Sequence, residues 1–576
     1  SGNQFELTIG YQSVNYTGKK ALATTVNGSL PAPILRWKEG ERVTLRVTNN
    51  LKEESSIHWH GIILPSTMDG SPGFDFNGIK PGETFEYEFD VKQNGTYWYH
   101  SHSAFQEQTG LIGAIIIDPK EPDPITYDRD IIVLLSDWTD TAPEKIYSRL
   151  KKMSHYYNYR ERTVADTWAD IKTKGLKETW SDRAMWNHMR MSNTDIADVT
   201  QYTYLINGIT PAQNWMELCK PGEKIRLRFI NGAAMTIFDV RIPGLRMTVV
   251  AADGQAIQPV TVDEFRIGNA ETYDVIVTLE PDHAYTLFAQ TIDRTGFACG
   301  TLTTTPTLRA EIPALDAVPI LTHQDMGMTT AAMNHSSHAS PTVLDHSDHD
   351  MNTMKTMDHS GHHTSAVTEM DHSAHHMNAM QTNNVGNLVK AGFGNSVDTP
   401  AKVTHRKTEF GPHVDSHSDQ PRNGLEDPGL GLRDNQQYLN RKVLTYADLR
   451  NLHPTRDKRQ PTREIELHLT GNMHRYMWSI NGESFMQAAP LQLTYGERVR
   501  IRLVNDTMMT HPIHLHGMWS ELETGDPDFI PRKHTILVQP GSKISYLVTA
   551  DAKGNWAYHC HMLYHMLGMM RMVKVV

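Results

Sequence analysis

At 576 residues the chain is too long for one domain, and length alone suggests roughly three to four. A formal charge of −11 leaves no basic face to neutralise phosphates and so excludes a nucleic-acid partner. Three cysteines exclude a disulfide-dense scaffold, and no apolar run approaches the roughly 20 residues of a transmembrane helix.

The chain opens on Ser1-Gly2-Asn3-Gln4, with neither an initiator methionine nor an apolar segment, as a processed or trimmed chain would, so any export signal is not visible in it. Short alternating β-type runs follow, such as Arg42–Val47 near one end and Lys543–Val548 near the other. Three stretches share one pattern of Asn-Gly, then Gly-Glu, then a β-run ending in Asn. They are Asn27-Gly28, Gly40-Glu41 and Asn49; Asn207-Gly208, Gly222-Glu223 and Asn231; and Asn481-Gly482, Gly496-Glu497 and Asn505. Nine residues beyond the closing Asn stand His58 in the first copy and His514 in the third, with His60 and His516 two further on. The middle copy has Val240 and Ile242 there. A second anchor agrees: His100 lies eighteen residues after Gly82, and His559 eighteen after Gly541. The pattern predicts three related β-domains, with histidines at these places in the first and third only.

Residues 140–195 interrupt the middle repeat with helical character, over Ile146–Lys152 and Trp180–Arg190. From about Pro306 to Pro461 the β-pattern lapses. Within that stretch residues 323–380 hold 11 His and 9 Met around Met-Asp-His-Ser units, out of 31 His and 28 Met in the whole chain. Such a segment lacks the apolar content to pack, and is expected to be mobile without metal.

Four histidine clusters carry the chemistry: His58-Trp59-His60, His100-Ser101-His102, His511-Pro512-Ile513-His514-Leu515-His516, and His559-Cys560-His561 followed by His565. On a strand, residues i and i+2 share a face, so each His-x-His presents two imidazoles side by side. In the last cluster His559 and His561 face one way and Cys560 the other, so one strand can hold two sites back to back. Cys560, His511 and His565 supply the His₂Cys set of a blue-copper site, to which a weak axial Met is usual; Met569 and Met570 are near enough. The eight remaining imidazoles, with no carboxylate or second thiolate, suit three further coppers.

These clusters resemble the four copper-binding motifs of multicopper oxidases, and over nearly its whole length the chain is similar to the bacterial copper-resistance branch of that family. Tyr97–His102, Gln106-Glu107-Gln108-Thr109-Gly110, Leu135-Ser136-Asp137-Trp138, the helical insertion and the Met-Asp-His-Ser units carry the likeness to the branch. The resemblance implies an all-β chain of three cupredoxin-like Greek-key sandwiches. Their expected limits are residues 1–122, 123–305 with the insertion at 140–195, and 461–576, with a linker over 306–460 holding a disordered Met/His-rich segment. It implies four coppers: type 1 on His511, Cys560 and His565; type 2 on His58 and His514; and a type 3 pair on His102, His516 and His559 and on His60, His100 and His561. Asp69, in Met68-Asp69-Gly70, matches a family acid that passes protons to reduced oxygen, and is otherwise a turn residue. The second such acid is missing, its places held by Leu563 and Met566.

For the axial ligand, counting from Cys560 selects Met570 and aligning on Gly568-Met569 selects Met569; reach along the strand from His565 favours Met570. Cys219 and Cys299 either form a disulfide or are two separate buried thiols. Thioethers select Cu(I), so the Met/His tract suits additional Cu(I), and Met508, Met509, Met518, Met562 and Met566 either guide Cu(I) to the type 1 site or fill core. The expected activity is oxidation of Cu(I) to Cu(II) coupled to four-electron reduction of O₂ to water. The alternatives are a laccase-like oxidase of phenols and a copper-sequestering protein acting through its tract. Copper-handling proteins are natural partners, and the resemblance implies export to the periplasm.

Overall fold

A computed structural model describes residues 2–328 and 403–576. Six sheets, stacked in pairs, make three β-sandwiches along the chain. The first pairs two four-stranded sheets, the second a six- and a five-stranded sheet, and the third a seven- and a five-stranded sheet. Strand Arg42–Asn49 shows how the sequence drives this: Val43, Leu45 and Val47 are fully buried while Arg42 and Arg46 stay exposed.

The repeat has a structural job. Asn27, Asn207 and Asn481 adopt φ of 52°, 50° and 54° ahead of a positive-φ glycine, the backbone of a tight hairpin turn. Each uses its side-chain oxygen to accept from a strand N–H, of Thr8, Leu134 and His468 respectively. The closing asparagines do equivalent work at the far end of the next strand. Asn49, Asn231 and Asn505 are fully buried, and each Nδ2 donates to two main-chain carbonyls while Oδ1 accepts from the N–H two residues on. These staples fix the loop leading to the next strand, and so set where the residues nine positions later emerge.

The insertion holds three helices, α1 (Pro143–Lys152), α2 (Val164–Lys174) and α3 (Leu176–His188). Proline starts α1, and Thr163 and Asp166 form a reciprocal capping box on α2, which the sequence reading did not foresee. Lys151 donates to the Tyr476 carbonyl and so ties α1 to the third sandwich.

The start of the Met/His tract and the second half of the expected linker are packed. Of the tract at 323–380, residues 323–328 are described and docked: His323 stacks on Trp186 of α3 with ring centroids 4.7 Å apart, and Met326 is 1 % exposed. The rest of the tract lies outside the described residues. Residues 403–460 thread along the second and third sandwiches, with Asn435 donating to Glu264, Tyr446 Oη to Glu271, and Arg433 paired with Asp427. Cys219 and Cys299 are two separate buried thiols. The Cys219 N–H bonds to the Thr303 carbonyl, which puts Cys299 four residues, about 13 Å, away along that strand.

Candidate metal centres and the chain's family

Strand His58–His60 pairs antiparallel with Gly95–His100, placing His58 opposite His100. In the third sandwich His511–Leu515 pairs with Gly554–Cys560, placing His514 opposite His559 and Ile513 opposite Cys560. The two sandwiches bring His58, His60, His100, His102, His514, His516, His559 and His561 into one pocket, in which all but His102 are buried. His58 stacks on His516 at 4.0 Å and His60 on His514 at 3.8 Å. The Nε2 atoms of His102 and His559 lie 3.4 Å apart, those of His516 and His559 3.0 Å, and those of His100 and His561 3.3 Å.

Hydrogen bonds on the outer side of most rings orient them and settle their tautomers. Nδ1 of His58 donates to the Asp69 carbonyl, of His100 to the Ser101 carbonyl, of His514 to the His534 carbonyl and of His559 to the Cys560 carbonyl. His516 Nδ1 donates to Asp69 Oδ2 at 2.9 Å. His60 is reversed, its Nε2 engaged by Thr535 Oγ1 and His534, so it offers Nδ1 instead. The inward atoms His58 Nε2, His60 Nδ1 and His514 Nε2 are buried without a partner. Burial, with mutual repulsion, holds six rings (His60, His100, His102, His514, His516 and His561) well below the ordinary imidazole range, and burial lowers His559 to about 4. Neutral imidazoles with lone pairs converging at 3.0–3.4 Å are matched to bound cations.

Back to back with this pocket, Cys560 Sγ lies 3.5 Å from His511 Nδ1 and 3.7 Å from His565 Nδ1. All three residues are fully buried. His511 Nε2 bonds to Thr507 Oγ1 at 2.7 Å, and His565 Nε2 to Asp198 Oδ2 at 2.5 Å. Trp478 stacks on His565 at 3.9 Å. Burial pushes the Cys560 thiol far up, so a thiolate here needs a cation beside it.

The strand register bears on the choice of axial methionine. Met570 pairs with His559 and so shares the face of the eight-imidazole pocket, away from Cys560. Met569, whose carbonyl accepts from the Cys560 N–H, is fully buried in the core that contains Cys560. By this register Met569, and not Met570, lies opposite Cys560 on the neighbouring strand.

Asp69 is more than a turn residue. It is 5 % exposed, and Oδ2 accepts from both His516 and the Ser71 hydroxyl while Oδ1 lies 3.4 Å from His58 Nδ1. Burial pushes its carboxyl up, but His58 and Ser71 outweigh that and hold it below the usual carboxylate range. Two neighbours of the pocket escaped the sequence reading. Glu107, inside the quoted Gln-Glu-Gln-Thr-Gly run, is buried with Oε2 3.1 Å from His100 Nδ1 and Oε1 3.9 Å from His561 Nδ1. Burial, with Asp137 behind it, pushes its carboxyl well up. His534 is a ninth imidazole at the pocket, buried and with no His-x-His spacing to announce it; its own N–H and that of Thr535 donate to Asp253 Oδ2.

The insertion and the third sandwich build a cleft. Met191, Met473 and Met508 line it with His155, His474, Glu161, Asp195 and three arginines, Arg162, Arg183 and Arg190. Tyr476, two residues beyond His474, links this side to the sulfur site, because Tyr476 Oη and His565 Nε2 both bond to Asp198 Oδ2. Of the five methionines picked from the sequence Met508 lines this cleft; Met509, Met518 and Met562 are buried in the core, and Met566 packs against it half-buried.

Family models described as multicopper oxidase match residues 8–122, 129–311 and 458–576. The chain is 55 % identical over 583 residues to copper resistance protein A of Escherichia coli, covering 100 % of this chain and 93 % of that one. It is 28 % identical to multicopper oxidase MmcO of Mycobacterium tuberculosis, over 94 % and 80 % of the two chains. Among solved structures it shares its fold with a laccase mutant from B. aclada (TM-score 0.61, 20 % identity, 99 % and 87 % covered). A multicopper oxidase from Campylobacter jejuni, titled a metallo-oxidase, has TM-score 0.57 at 18 % identity, with 100 % and 92 % covered. With imidazoles and a thiol gathered where its first and third sandwiches carry the repeat, the chain belongs to the multicopper oxidase family and is a copper-dependent oxidoreductase.

Proposed function

We propose that this enzyme is a cuprous oxidase of copper resistance, taking electrons from Cu(I) and delivering them to O₂. The observation that carries the reading is a cleft in which Met191, Met473 and Met508 stand with His155, His474, Glu161 and Asp195, beside Arg162, Arg183 and Arg190. It adjoins the turn of Tyr476, whose hydroxyl shares Asp198 Oδ2 with the outer nitrogen of His565. Soft thioethers hold Cu(I), while nearby oxygen and nitrogen donors favour the Cu(II) that leaves. The likeness to copper resistance protein A supports the same substrate.

His511, Cys560, His565 and Met569 would hold one copper. His58 and His514, then His102, His516 and His559, then His60, His100 and His561, would hold the other three. When bound, these coppers supply one-electron chemistry at the sulfur site and four-electron reduction of dioxygen at the imidazole pocket. The chain's part is to fix the geometry and to move charge. Cys560 joins the two sites covalently, since its neighbours His559 and His561 point into the pocket on the opposite face of the strand. Asp198 holds His565 at its outer nitrogen, and Asp69 holds His58 and His516 while offering a buried carboxylate for proton transfer. No helix among the described residues is long and apolar enough to cross a membrane, and we place the enzyme in the periplasm, where Cu(I) detoxification needs it.

The cleft provides the test. Replacing Met191, Met473 and Met508 together with leucine keeps volume and removes the soft donors. We expect kcat/KM for Cu(I) to fall about tenfold per effective thioether, or about 1.4 kcal/mol each, with phenol oxidation unchanged. An unchanged Cu(I) rate, or equal loss on both substrates, overturns the reading. A second expectation concerns Glu107. Glu107→Gln keeps shape but changes the bonds to His100 and His561, so copper retention by the imidazole pocket against a chelator should weaken 10–100-fold, in line with roughly that cost for partners of ligating histidines. The blue band of the Cys560 site should not change; undiminished copper retention would show that Glu107 is a spectator.

A further inference from the structure

Away from both copper centres, where residues 403–418 cross the third sandwich, four metal-ligating side chains converge. His405 and Glu409 sit four residues apart on a turn leading into the 3₁₀ segment Lys407–Glu409. His468 comes from the strand Arg463–Asn472, and Asp506 follows the neighbouring strand Arg498–Asn505. His405 Nδ1 lies 2.9 Å from Glu409 Oε2 and 3.6 Å from Asp506 Oδ2. His468 Nδ1 lies 2.8 Å from that Asp506 oxygen and 3.5 Å from that Glu409 oxygen. The four nitrogen–oxygen separations, 2.8–3.6 Å, bracket the roughly 3.3 Å edge of a tetrahedron with bonds of about 2.0–2.1 Å.

The surroundings are built like those of a ligand site. Glu409, His468 and Asp506 are at most 1 % exposed. His468 Nε2 bonds to Glu466 Oε1 at 3.1 Å, a carboxylate–histidine pair that turns Nδ1 toward the centre. Asp506 Oδ1 accepts from the Ser418 N–H, leaving Oδ2 free to face inward. Glu409 Oε1 and His405 Nε2 are buried with no hydrogen-bond partner. Charge agrees: two carboxylates with two neutral imidazoles make a neutral site around a 2+ ion. Without one, the imidazoles must take up protons instead, and burial notwithstanding, Asp506 and Glu466 raise His468 to about 10.

We propose that His405, Glu409, His468 and Asp506 form a further metal site that takes one divalent first-row cation, Cu(II) or Zn(II). With no sulfur donor the set disfavours Cu(I), and mixed imidazole and carboxylate ligands suit Cu(II) and Zn(II). The proposal does not depend on which substrate the oxidase uses. Asp506 is followed by Thr507, whose hydroxyl meets His511, so an ion here would share a short stretch of chain with the type 1 ligand.

The test uses the full chain already loaded at its copper centres. Zn(II), and separately Cu(II), is added at equilibrium dialysis and bound metal is counted for wild type, Glu409→Gln and His468→Gln. We expect each variant to bind one equivalent less of either ion than wild type, with the blue band retained. Crystals soaked in Zn(II) should show an anomalous peak between His405 and His468. Glu466→Gln, which leaves the four ligands in place, should weaken binding 10–100-fold and covers the case in which the ligand variants fail to fold. Equal stoichiometry in wild type and variants, unaltered affinity in Glu466→Gln, or no anomalous peak would overturn the proposal and leave a protonated ion-pair cluster. Loss of Zn(II) but not Cu(II) binding in the variants would overturn the Cu(II) arm alone.

Discussion

Cys560→Ser is expected to abolish both the intense visible band and Cu(I)-driven oxygen uptake, while the eight-imidazole pocket keeps its copper. The serine hydroxyl is smaller than the thiol but has the same branching, so the fully buried position is left slightly underfilled and never overfilled. What changes is chemistry. A hard, un-ionised hydroxyl replaces the soft thiolate between His511 and His565, and the band of a His₂Cys site goes with the sulfur. Transport goes too, because Cys560 is the residue whose backbone runs directly to His559 and His561 in the pocket behind it. Copper analysis, an absorption spectrum and an oxygen electrode suffice. Retained Cu(I)-driven uptake in a variant without the blue band would mean that electrons reach the pocket by another route, and would remove the role we give to the strand Gly554–Cys560.

Much of this was legible in the sequence because the ligands are periodic and come from a repeat. His-x-His on a strand announces itself, and the same offsets from a stapling asparagine recur in the first and third sandwiches. What could not be read depends on packing between segments far apart in the chain. Asp198 caps His565 from 367 residues away, and Glu107 meets His561 across two sandwiches. His534 shows no periodicity at all, since a single imidazole after Arg532-Lys533 reads as a surface basic run; instead Lys533 is fully buried between Asp253 and Glu271. Strand Ser542–Thr549 shows a related limit. Its alternation suggests one wet face, but seven of its eight residues are buried, because the segment at Arg422–Asn423 pairs along its edge and Glu523 covers Ser545. The choice between Met569 and Met570 is hard to read for a local reason: a count along the chain cannot replace the register of the strand that carries them.

Asp69→Asn should slow oxygen reduction by about 10²–10⁴-fold, the range for removing a positioned proton-transfer group, with the Cys560 site untouched. The carboxylate sits where two demands meet. Its Oδ2 accepts from His516 and Ser71, and its carbonyl takes the His58 ring proton, so one residue braces rings from the first and third sandwiches. The backbone is constrained as tightly: a Cβ at Gly70 would meet the Ile57 carbonyl oxygen at 1.8 Å, so the turn that aims Asp69 tolerates no side chain after it. Asparagine keeps one acceptor oxygen and nearly the same shape, so the rings should stay in place, but it can no longer take up a proton. Anaerobic reduction of the blue band by Cu(I) should therefore keep its wild-type rate while steady-state oxygen uptake collapses. Glutamate at 69 tests the same point from the other side, restoring the carboxylate at the cost of geometry, and partial recovery is expected. If copper content in the Asn variant falls in step with the rate, Asp69 serves only to brace the rings, and protons reach the pocket through another group. Full copper with slow turnover would establish the carboxylate as a proton carrier, in a chain whose last histidine motif has Leu563 and Met566 where a second acid is expected.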